Sequence, residues 1–209
     1  MINQSSSPLA KHLVNTLRDA QCDAMAFRHR LKELAKLLLA EAAESLPLAE
    51  RKILTWQGGF VGTFVDESRV VCVSILRAGL PMQEGVLEVL TDAEGGFLAM
   101  KRDERTHESR LYYDRVPDLK GKTVIVVDPM VATGGSLHDA LSLISERGPD
   151  AIVSLNVIGA KEGVERVAAA FPGVSIHIAR IDPHLNRDAY IVPGLGDAGD
   201  RAFNTPDSD

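Results

Sequence analysis

The stretch "KTVIVVDPMVATGGSLHDALSLISERG", residues 122–148, decides the fold class of this chain. It opens with a run of valine and isoleucine, which is typical of a strand buried on both faces. It closes with an apolar face at helical spacing, formed by Leu137, Ala140, Leu141 and Ile144. Asp128 and the polar residues 133–136 lie between the two. The stretch therefore predicts a strand, a polar loop and a helix in direct succession.

Similar strands and helices alternate on both sides of this unit. Apolar runs predict strands at 69–76, 95–102, 151–160 and 174–180, and helical spacing predicts helices at 79–90 and 161–171. Continuous Val/Ile strands that alternate with helices favour a parallel sheet with helices on both faces. We therefore expect a single α/β domain over residues 1–209, with an open, mostly parallel sheet as its core at about 69–180.

The two ends of the chain have a different pattern. One helical face is predicted from Leu9, Leu13 and Leu17, and a second from Phe27, Leu31, Leu34 and Leu38. The β-type runs on either side of Gly58 and Gly59 predict a hairpin. We expect the N-terminal part and about residues 181–205 to form a smaller hood lobe, and residues 101–117 to form a flexible β-arm.

Composition and charge exclude several classes of protein. The chain has 23 Lys and Arg against 29 Asp and Glu, and it lacks the basic stripe of a nucleic-acid-binding surface. No apolar run approaches the length of a membrane span, and the N-terminus lacks the apolar core of a signal peptide. Cys22, Cys72 and the six histidines lack metal-ligand spacing. We expect a soluble, cytoplasmic protein that binds neither nucleic acid nor membrane.

Asp128 and the loop after it predict an anion site. The carboxylate lies where a strand ends, and residues 133–136 place backbone N–H groups at a helix N-terminus, where the helix dipole favours an anion. Gly134 and Gly135 allow the backbone to approach a phosphate closely. The lysine of the common nucleotide-binding loop is missing, which argues against an NTPase. A simple capped turn between strand and helix is the alternative interpretation.

Three further stretches lie at the same edge of the predicted sheet or can reach it. Arg77 directly follows a strand in "ILRAGL", and its guanidinium suits bidentate contact with phosphate. The charged arm at 101–115 is typical of a lid that closes over a reacting centre. The bent segment 190–205, "YIVPGLGDAGDRAFNT", exposes backbone groups that suit a small planar ligand. Taken alone, each has a plain alternative: a surface arginine, a solvated loop and a frayed tail.

Together the four stretches resemble the uracil phosphoribosyltransferase family of type I phosphoribosyltransferases. "DPMVATGGS" is similar to its phosphoribosyl-pyrophosphate loop, "ILRAGL" to its pyrophosphate loop, "MKRDERT" to the start of its flexible arm and "YIVPGLGDAGDR" to its uracil-binding signature. The resemblance covers about residues 8–205. It implies the type I fold, with a small hood and a β-arm. It also implies transfer of the 5-phosphoribosyl group from phosphoribosyl pyrophosphate (PRPP) to uracil, which gives UMP and pyrophosphate in pyrimidine salvage.

The resemblance implies roles for particular residues. The implied catalytic residues are Arg77, Arg102, Asp128 and Asp197. The implied PRPP-binding residues are Arg77, Ala78, Gly79, Arg102, Asp128, Pro129, Met130, Val131, Ala132, Thr133, Gly134, Gly135, Ser136 and Asp197. The implied uracil-binding residues are Ile191, Gly196, Asp197 and Ala198. The implied cofactor is Mg²⁺, held mainly through PRPP and water without a direct protein ligand.

Other consequences of the resemblance stay open. It suggests a homodimer or a larger homo-oligomer, and GTP is an effector of some family members. The arm sequence "HESRLYYD" departs from the family pattern, and Arg105 is a second candidate clamp after Arg102. A phosphoribosyltransferase for another base is the nearest alternative, and orotate would need a cation such as Arg187 or Arg201. A non-catalytic regulator that senses a nucleotide on the same fold is the second alternative.

Overall fold

The computed structural model describes residues 1–102 and 109–205. Its strands are β1 (Ile2–Gln4), β2 (Leu48–Thr55), β3 (Gly58–Val65), β4 (Val70–Leu76), β5 (Glu94–Arg102), β6 (Ser109–Arg115), β7 (Thr123–Val127), β8 (Met130–Val131), β9 (Ala151–Ala160), β10 (Ser175–Asp182), β11 (His184–Leu185) and β12 (Ile191–Val192). Its helices are α1 (Pro8–Arg18), α2 (Ala24–Ala42), α3 (Leu80–Val89), α4 (Gly135–Ser145), α5 (Lys161–Ala170) and α6 (Ala198–Phe203), with short 3-10 helices at Ala43–Ser45 and Glu67–Arg69. None of these described helices combines the length and the apolar character of a membrane span.

A mostly parallel sheet organises the fold. Its strand order is β1-β10-β9-β7-β4-β5-β6, with β8 paired to β9, and each described pair in it is parallel except β5–β6. Strands β4 and β7 are neighbours, with Ser74 opposite Val127. The loops that follow these two strands therefore leave the same edge of the sheet side by side. The predicted open, mostly parallel sheet is confirmed.

Helices cover both faces of this sheet, because the side chains of its central strands are apolar on both faces. Val71 and Val73 of β4 pack with the apolar face of α4 and α5. The intervening Cys72 belongs to the other cluster, with Phe27 and Leu31 of α2. Helix α2 thus packs on one face of the sheet, and the assignment of the N-terminal part to a hood stays a prediction. The boundaries of the core and the hood segment at 181–205 stay predictions.

The N-terminal part also differs from the prediction in detail. The chain begins with β1, which pairs in parallel with β10 and is too short to show a periodic pattern. The buried residues of α1 are Ala10, Val14 and Leu17, whereas Leu9 is 53% exposed. Of the three residues of the predicted face, Leu17 is buried and Leu13 packs against the core, whereas the assignment of Leu9 was wrong because the small Ala10 beside it faces the core instead. The predicted hairpin is confirmed as the antiparallel pair β2–β3.

Candidate active site

The loop after β4 lies against the end of β7. A Cβ on Gly79 would lie 2.6 Å from the Val127 carbonyl oxygen and 2.8 Å from that of Ile75. These distances are far below van der Waals contact, so glycine alone allows the loop to approach so closely. The Leu76–Arg77 peptide bond in this loop is cis. The close approach of Gly79 to Val127 places the loop at 77–79 beside the loop that begins at Asp128.

Strand β9 holds the bend at Asp128 and Pro129. The Asn156 side-chain amide donates to the Asp128 carbonyl oxygen over 2.7 Å, and Ser154 Oγ donates to the Asn156 side-chain oxygen over 2.8 Å. The Pro129 carbonyl oxygen accepts from two backbone N–H groups of β9. Sequence analysis missed Ser154 and Asn156. Two polar residues inside an apolar strand were the available signal, because buried polar groups need partners.

The loop at 132–136 packs on the first turn of α5. A Cβ on Gly163 would lie 2.0 Å from the Ala132 carbonyl oxygen, and a Cβ on Gly134 would lie 2.8 Å from that of Gly163. Gly134 has a φ of +78°, a conformation that glycine adopts without steric penalty. With Asp128, the loop lines a cavity of about 240 Å³ at the N-terminus of α4. This geometry suits an anion, and sequence analysis missed the contribution of Gly163.

Arg77 lines a second cavity, of about 880 Å³. Its side chain is 53% exposed, and it pairs with Asp200 over 2.8 Å and donates to Thr205 Oγ1 over 2.6 Å. Ala78 and Asp197 line the same cavity. The two cavities have four wall residues in common, Leu76, Ala78, Met100 and Met130. The cavities therefore adjoin at the carboxyl edge of the sheet.

The residues predicted to read uracil lie in the bent C-terminal segment. Ile191 and Ala198 are buried, whereas Gly196 and Asp197 are exposed. Asp197 is the N-cap of α6, and its carboxylate accepts from the Asp200 N–H over 2.8 Å. The side chains at 191, 196 and 198 are apolar or absent, so polar contact with a base there would use backbone groups. Their role in binding stays a prediction.

Arg201 anchors this segment to the N-terminal helices. Its guanidinium lies over the Phe27 ring, 4.6 Å from the ring centroid. It donates to the carbonyl oxygen of Leu17, in the last turn of α1, and to that of Leu195. A cation there is favourable, because it meets the negative end of the helix dipole. Arg201 therefore serves the scaffold, so of the two arginines considered for an orotate carboxylate only the exposed Arg187 is left.

Burial controls the charge of Asp128, which is 8% exposed. The pKa of Asp128 is raised to about 7, mainly by burial; the hydrogen bond from the Met130 N–H lowers the pKa, and the negative charge of Asp197 raises it. Within residues 1–102 and 109–205, no group of three or more His, Cys, Asp or Glu side chains is placed to hold a metal. The carboxylates of Asp128 and Asp197 suit a Mg²⁺ ion that keeps water and substrate phosphates as most of its ligands.

Most of the predicted site residues lie around the two cavities. Those that line them are Arg77, Ala78, Asp128, Met130, Ala132, Thr133, Gly134, Gly135, Ser136 and Asp197. The arm residues are a separate case. Arg102 ends β5, but its side chain, together with Arg105 and Glu108, lies outside the described part of the chain. The clamp roles of Arg102 and Arg105 stay predictions.

Comparison with solved structures places the fold among known proteins. A solved protein from Aquifex aeolicus superposes with a TM-score of 0.93 at 45% identity, over 97% of this chain and 98% of that one. A purine phosphoribosyltransferase from Pyrococcus horikoshii has a TM-score of 0.51 at 16% identity, over 73% of this chain and 85% of that one. The second likeness shows a shared fold alone.

Sequence relatives identify the family. The family model described as uracil phosphoribosyltransferase matches residues 4–205. The uracil phosphoribosyltransferase of Aquifex aeolicus (strain VF5) is 45% identical over 203 residues, which cover 97% of this chain and 98% of the relative. That of Acinetobacter baylyi is 39% identical over 209 residues, which cover 100% and 99%. This chain therefore belongs to the uracil phosphoribosyltransferase family.

Proposed function

We propose that this chain transfers the 5-phosphoribosyl group of PRPP to a ring nitrogen of uracil, which gives UMP and pyrophosphate. One observation carries the proposal. The parallel pairing of β4 with β7 sets the Arg77 loop beside the Asp128 loop, and Asp197 lines the same cavity as Arg77. The stretches that resemble the family's loops therefore meet at one edge of the sheet, where open α/β sheets bind their ligands.

We assign the 5-phosphate to the cavity of about 240 Å³. Residues 133–136 supply N–H groups and hydroxyls at the positive end of the α4 dipole. A lysine is not required, because this phosphate is only held and none of its bonds is broken in the reaction. Asp128 borders the same cavity, where its carboxylate accepts hydrogen bonds from the ribose hydroxyls.

We assign the pyrophosphate to the larger cavity, beside Arg77 and the backbone of Ala78 and Gly79. A guanidinium forms bidentate hydrogen bonds with phosphate oxygens. Asp197 orders water on the same side, and Arg102 closes over the pyrophosphate from the arm. Mg²⁺, when bound with PRPP, neutralises the charge that develops on the leaving pyrophosphate.

We assign uracil to the segment that contains Ile191, Gly196 and Ala198. Uracil is a neutral ring with amide N–H and C=O groups along its edge. Backbone groups provide matching acceptors and donors without adding a charge. The scaffold role of Arg201 supports this assignment over one to orotate, because that cation already contacts backbone carbonyl groups and the Phe27 ring.

The reaction needs no nucleophilic side chain. The bond from ribose C1 to the pyrophosphate oxygen breaks, and both electrons leave with that oxygen. The uracil nitrogen forms the new bond to C1 from the opposite face and releases its proton. The protein holds the two reactants in line and places Arg77 where negative charge develops. Orientation and electrostatic stabilisation therefore supply most of the acceleration.

We further infer that the enzyme is a cytoplasmic homo-oligomer. The hairpin β2–β3 supports the oligomer, because Leu54 and Trp56 are 87% and 92% exposed and an isolated two-stranded hairpin is marginally stable in water. Light scattering over a range of protein concentrations tests it, and a monomer at all concentrations would contradict it. The free thiols of Cys22 and Cys72 support a reducing compartment.

A steady-state assay tests the function, with PRPP, Mg²⁺ and each of uracil, orotate, hypoxanthine and xanthine. We expect turnover with uracil and none with the other three. Turnover of a purine but not of uracil would refute the proposal. Binding of UMP without any turnover would instead support a nucleotide-sensing regulator. The same assay with and without GTP decides whether GTP is an effector.

A further inference from the structure

We propose that the ion pair between Arg18 and Asp182 positions the uracil-reading segment by clamping Gly194. The inference rests on the proposed function, since it concerns the segment assigned to uracil. Both residues act through the Gly194 backbone, so they are positioning residues for the reaction. The resemblance to the family pointed to neither of them.

The clamp is formed by residues from distant parts of the chain. Arg18 ends α1 and Asp182 ends β10. Two guanidinium N–H groups of Arg18 donate to the two Asp182 carboxylate oxygens, over 2.8 and 2.7 Å. Arg18 Nη1 also donates to the Gly194 carbonyl oxygen over 2.7 Å, and the Gly194 N–H donates to Asp182 Oδ2 over 3.1 Å. Both backbone polar groups of Gly194 are therefore bonded to the pair.

Burial makes this clamp stiff. Asp182 is 2% exposed, and the Arg18 side chain is 18% exposed. Charge-assisted hydrogen bonds in such a site are short, directional and about twice as strong as neutral ones. Loss of either partner would leave a buried charge uncompensated, which proteins tolerate poorly. The pair thus holds Gly194 in one place.

Gly194 in turn sets the shape of the segment. Its φ is +60°, and a Cβ on it would lie 2.0 Å from the Ile191 carbonyl oxygen. The chain therefore folds back tightly between Ile191 and Gly196, two of the positions assigned to uracil. The directions of their backbone groups follow from the position of Gly194. A misplacement of about 1 Å in a site that acts through orientation can cost roughly 10²-fold in rate.

The loops assigned to PRPP are held by other contacts. Asn156 bonds to the Asp128 carbonyl oxygen, and Gly163 packs against the Ala132 carbonyl oxygen. Neither contact includes Arg18 or Asp182. The clamp should therefore affect uracil binding and leave PRPP binding unchanged.

Two variants test the clamp. Asp182→Asn removes the buried negative charge at almost constant shape. Arg18→Lys keeps a cation beside Asp182 but replaces the guanidinium fork with a single ammonium group. The charge of Asp182 stays compensated in this variant, so it tests the clamp even if Asp182→Asn does not fold. KM for uracil, KM for PRPP, kcat and thermal unfolding are measured for each. We expect KM for uracil to rise roughly tenfold or more, while KM for PRPP changes less than about twofold.

Asp150→Asn is the matched control. Asp150 pairs with Arg69 over 2.8 Å at the amino ends of the strands, and both side chains are about half exposed. Both KM values should stay at their wild-type levels in this variant. If the wild type is active with uracil, the clamp alone would be overturned by a uracil KM that is unchanged in both clamp variants. A rise of both KM values together in these variants would also overturn it. A wild type inactive with uracil would overturn the proposed function and the clamp with it.

Discussion

The guanidinium of Arg77 lies 2.8 Å from the carboxylate of Asp200, 123 positions further along the chain, and joins the loop after β4 to helix α6. Arg77 belongs to the loop proposed for pyrophosphate, and Asp200 belongs to α6, which begins at Ala198 in the segment proposed for uracil. The two side chains are 53% and 22% exposed. An ion pair this exposed contributes only about 0–1 kcal/mol to stability, so an incoming pyrophosphate can displace it at little cost.

This pairing makes Arg77 a clean target for substitution. We expect Arg77→Ala to lower turnover roughly 10²–10³-fold, as loss of a placed charge stabiliser does, while the thermal unfolding temperature changes little. Steady-state kinetics and circular dichroism measure the two effects. Arg69→Ala is the control, because Arg69 is also exposed and also pairs with a carboxylate over 2.8 Å, at the opposite edge of the sheet. Near-normal turnover of Arg77→Ala would remove this residue from the site.

The raised pKa of Asp128 predicts a pH-dependent stability. The pKa is about 7 in the folded chain, against about 3.9 in an unfolded chain. Between these values the folded state binds more protons, so the free energy of unfolding falls as pH rises, by up to about 4 kcal/mol. We expect the uncharged variant Asp128→Asn to be more stable than wild type at pH 8, with a smaller difference at pH 4.5. Urea unfolding at several pH values measures this, and a difference that is constant with pH would contradict it.

The titration of Asp128 should also change the affinity of the protein for PRPP. A neutral Asp128 accepts fewer hydrogen bonds from ribose hydroxyls and attracts Mg²⁺ less than a carboxylate does. We expect PRPP binding to weaken as pH falls below about 7. Isothermal titration with PRPP and Mg²⁺ measures the affinity. Asp128→Asn should bind PRPP more weakly and lose the part of the pH dependence that belongs to this group; an unchanged pH profile would assign it to another group, such as the phosphates.

The contact between Gly163 and Ala132 predicts a second way to weaken PRPP binding. Gly163→Ala places a Cβ 2.0 Å from the Ala132 carbonyl oxygen, so the phosphate loop must move. We expect KM for PRPP to rise, and the protein to lose about 1–3 kcal/mol of stability, as overpacked sites do. Gly173→Ala is the matched control, because a Cβ there would meet no described atom within 4 Å. Equal kinetics for both variants would show that α5 does not shape the phosphate loop.

The contacts of Arg201 predict that its substitution lowers the stability of the protein without changing which base the enzyme uses. Arg201→Met removes charge-assisted hydrogen bonds to the Leu17 and Leu195 carbonyl oxygens, so we expect a loss of about 2 kcal/mol or more in chemical denaturation. Arg187→Met serves as the control, since that arginine is exposed. We expect no orotate turnover in wild type or in either variant. Orotate turnover in wild type that Arg201→Met abolishes would show that this arginine contacts the base.

Local patterns alone determined the fold class and the location of the anion loop. The alternation of apolar runs and helical faces from residue 69 to residue 180 predicted the parallel sheet, because period and burial are properties of neighbouring residues. Asp128, the loop at 133–136 and Arg77 could be found because each directly follows a strand. Their meeting at one edge follows from parallel pairing, which the alternation already indicated.

The tertiary structure decided what holds these loops in place. Asn156 supports Asp128 from a neighbouring strand, Gly163 supports the phosphate loop from α5, and Arg18 reaches Asp182 and Gly194 from the N-terminal helix. These partners lie between 28 and 176 positions apart, so no periodic pattern or short motif relates them. The charge of Asp128 also depends on burial, which exists only once the chain is folded. The sequence alone therefore located the candidate site, and the three-dimensional packing defined the shape and the charge of that site.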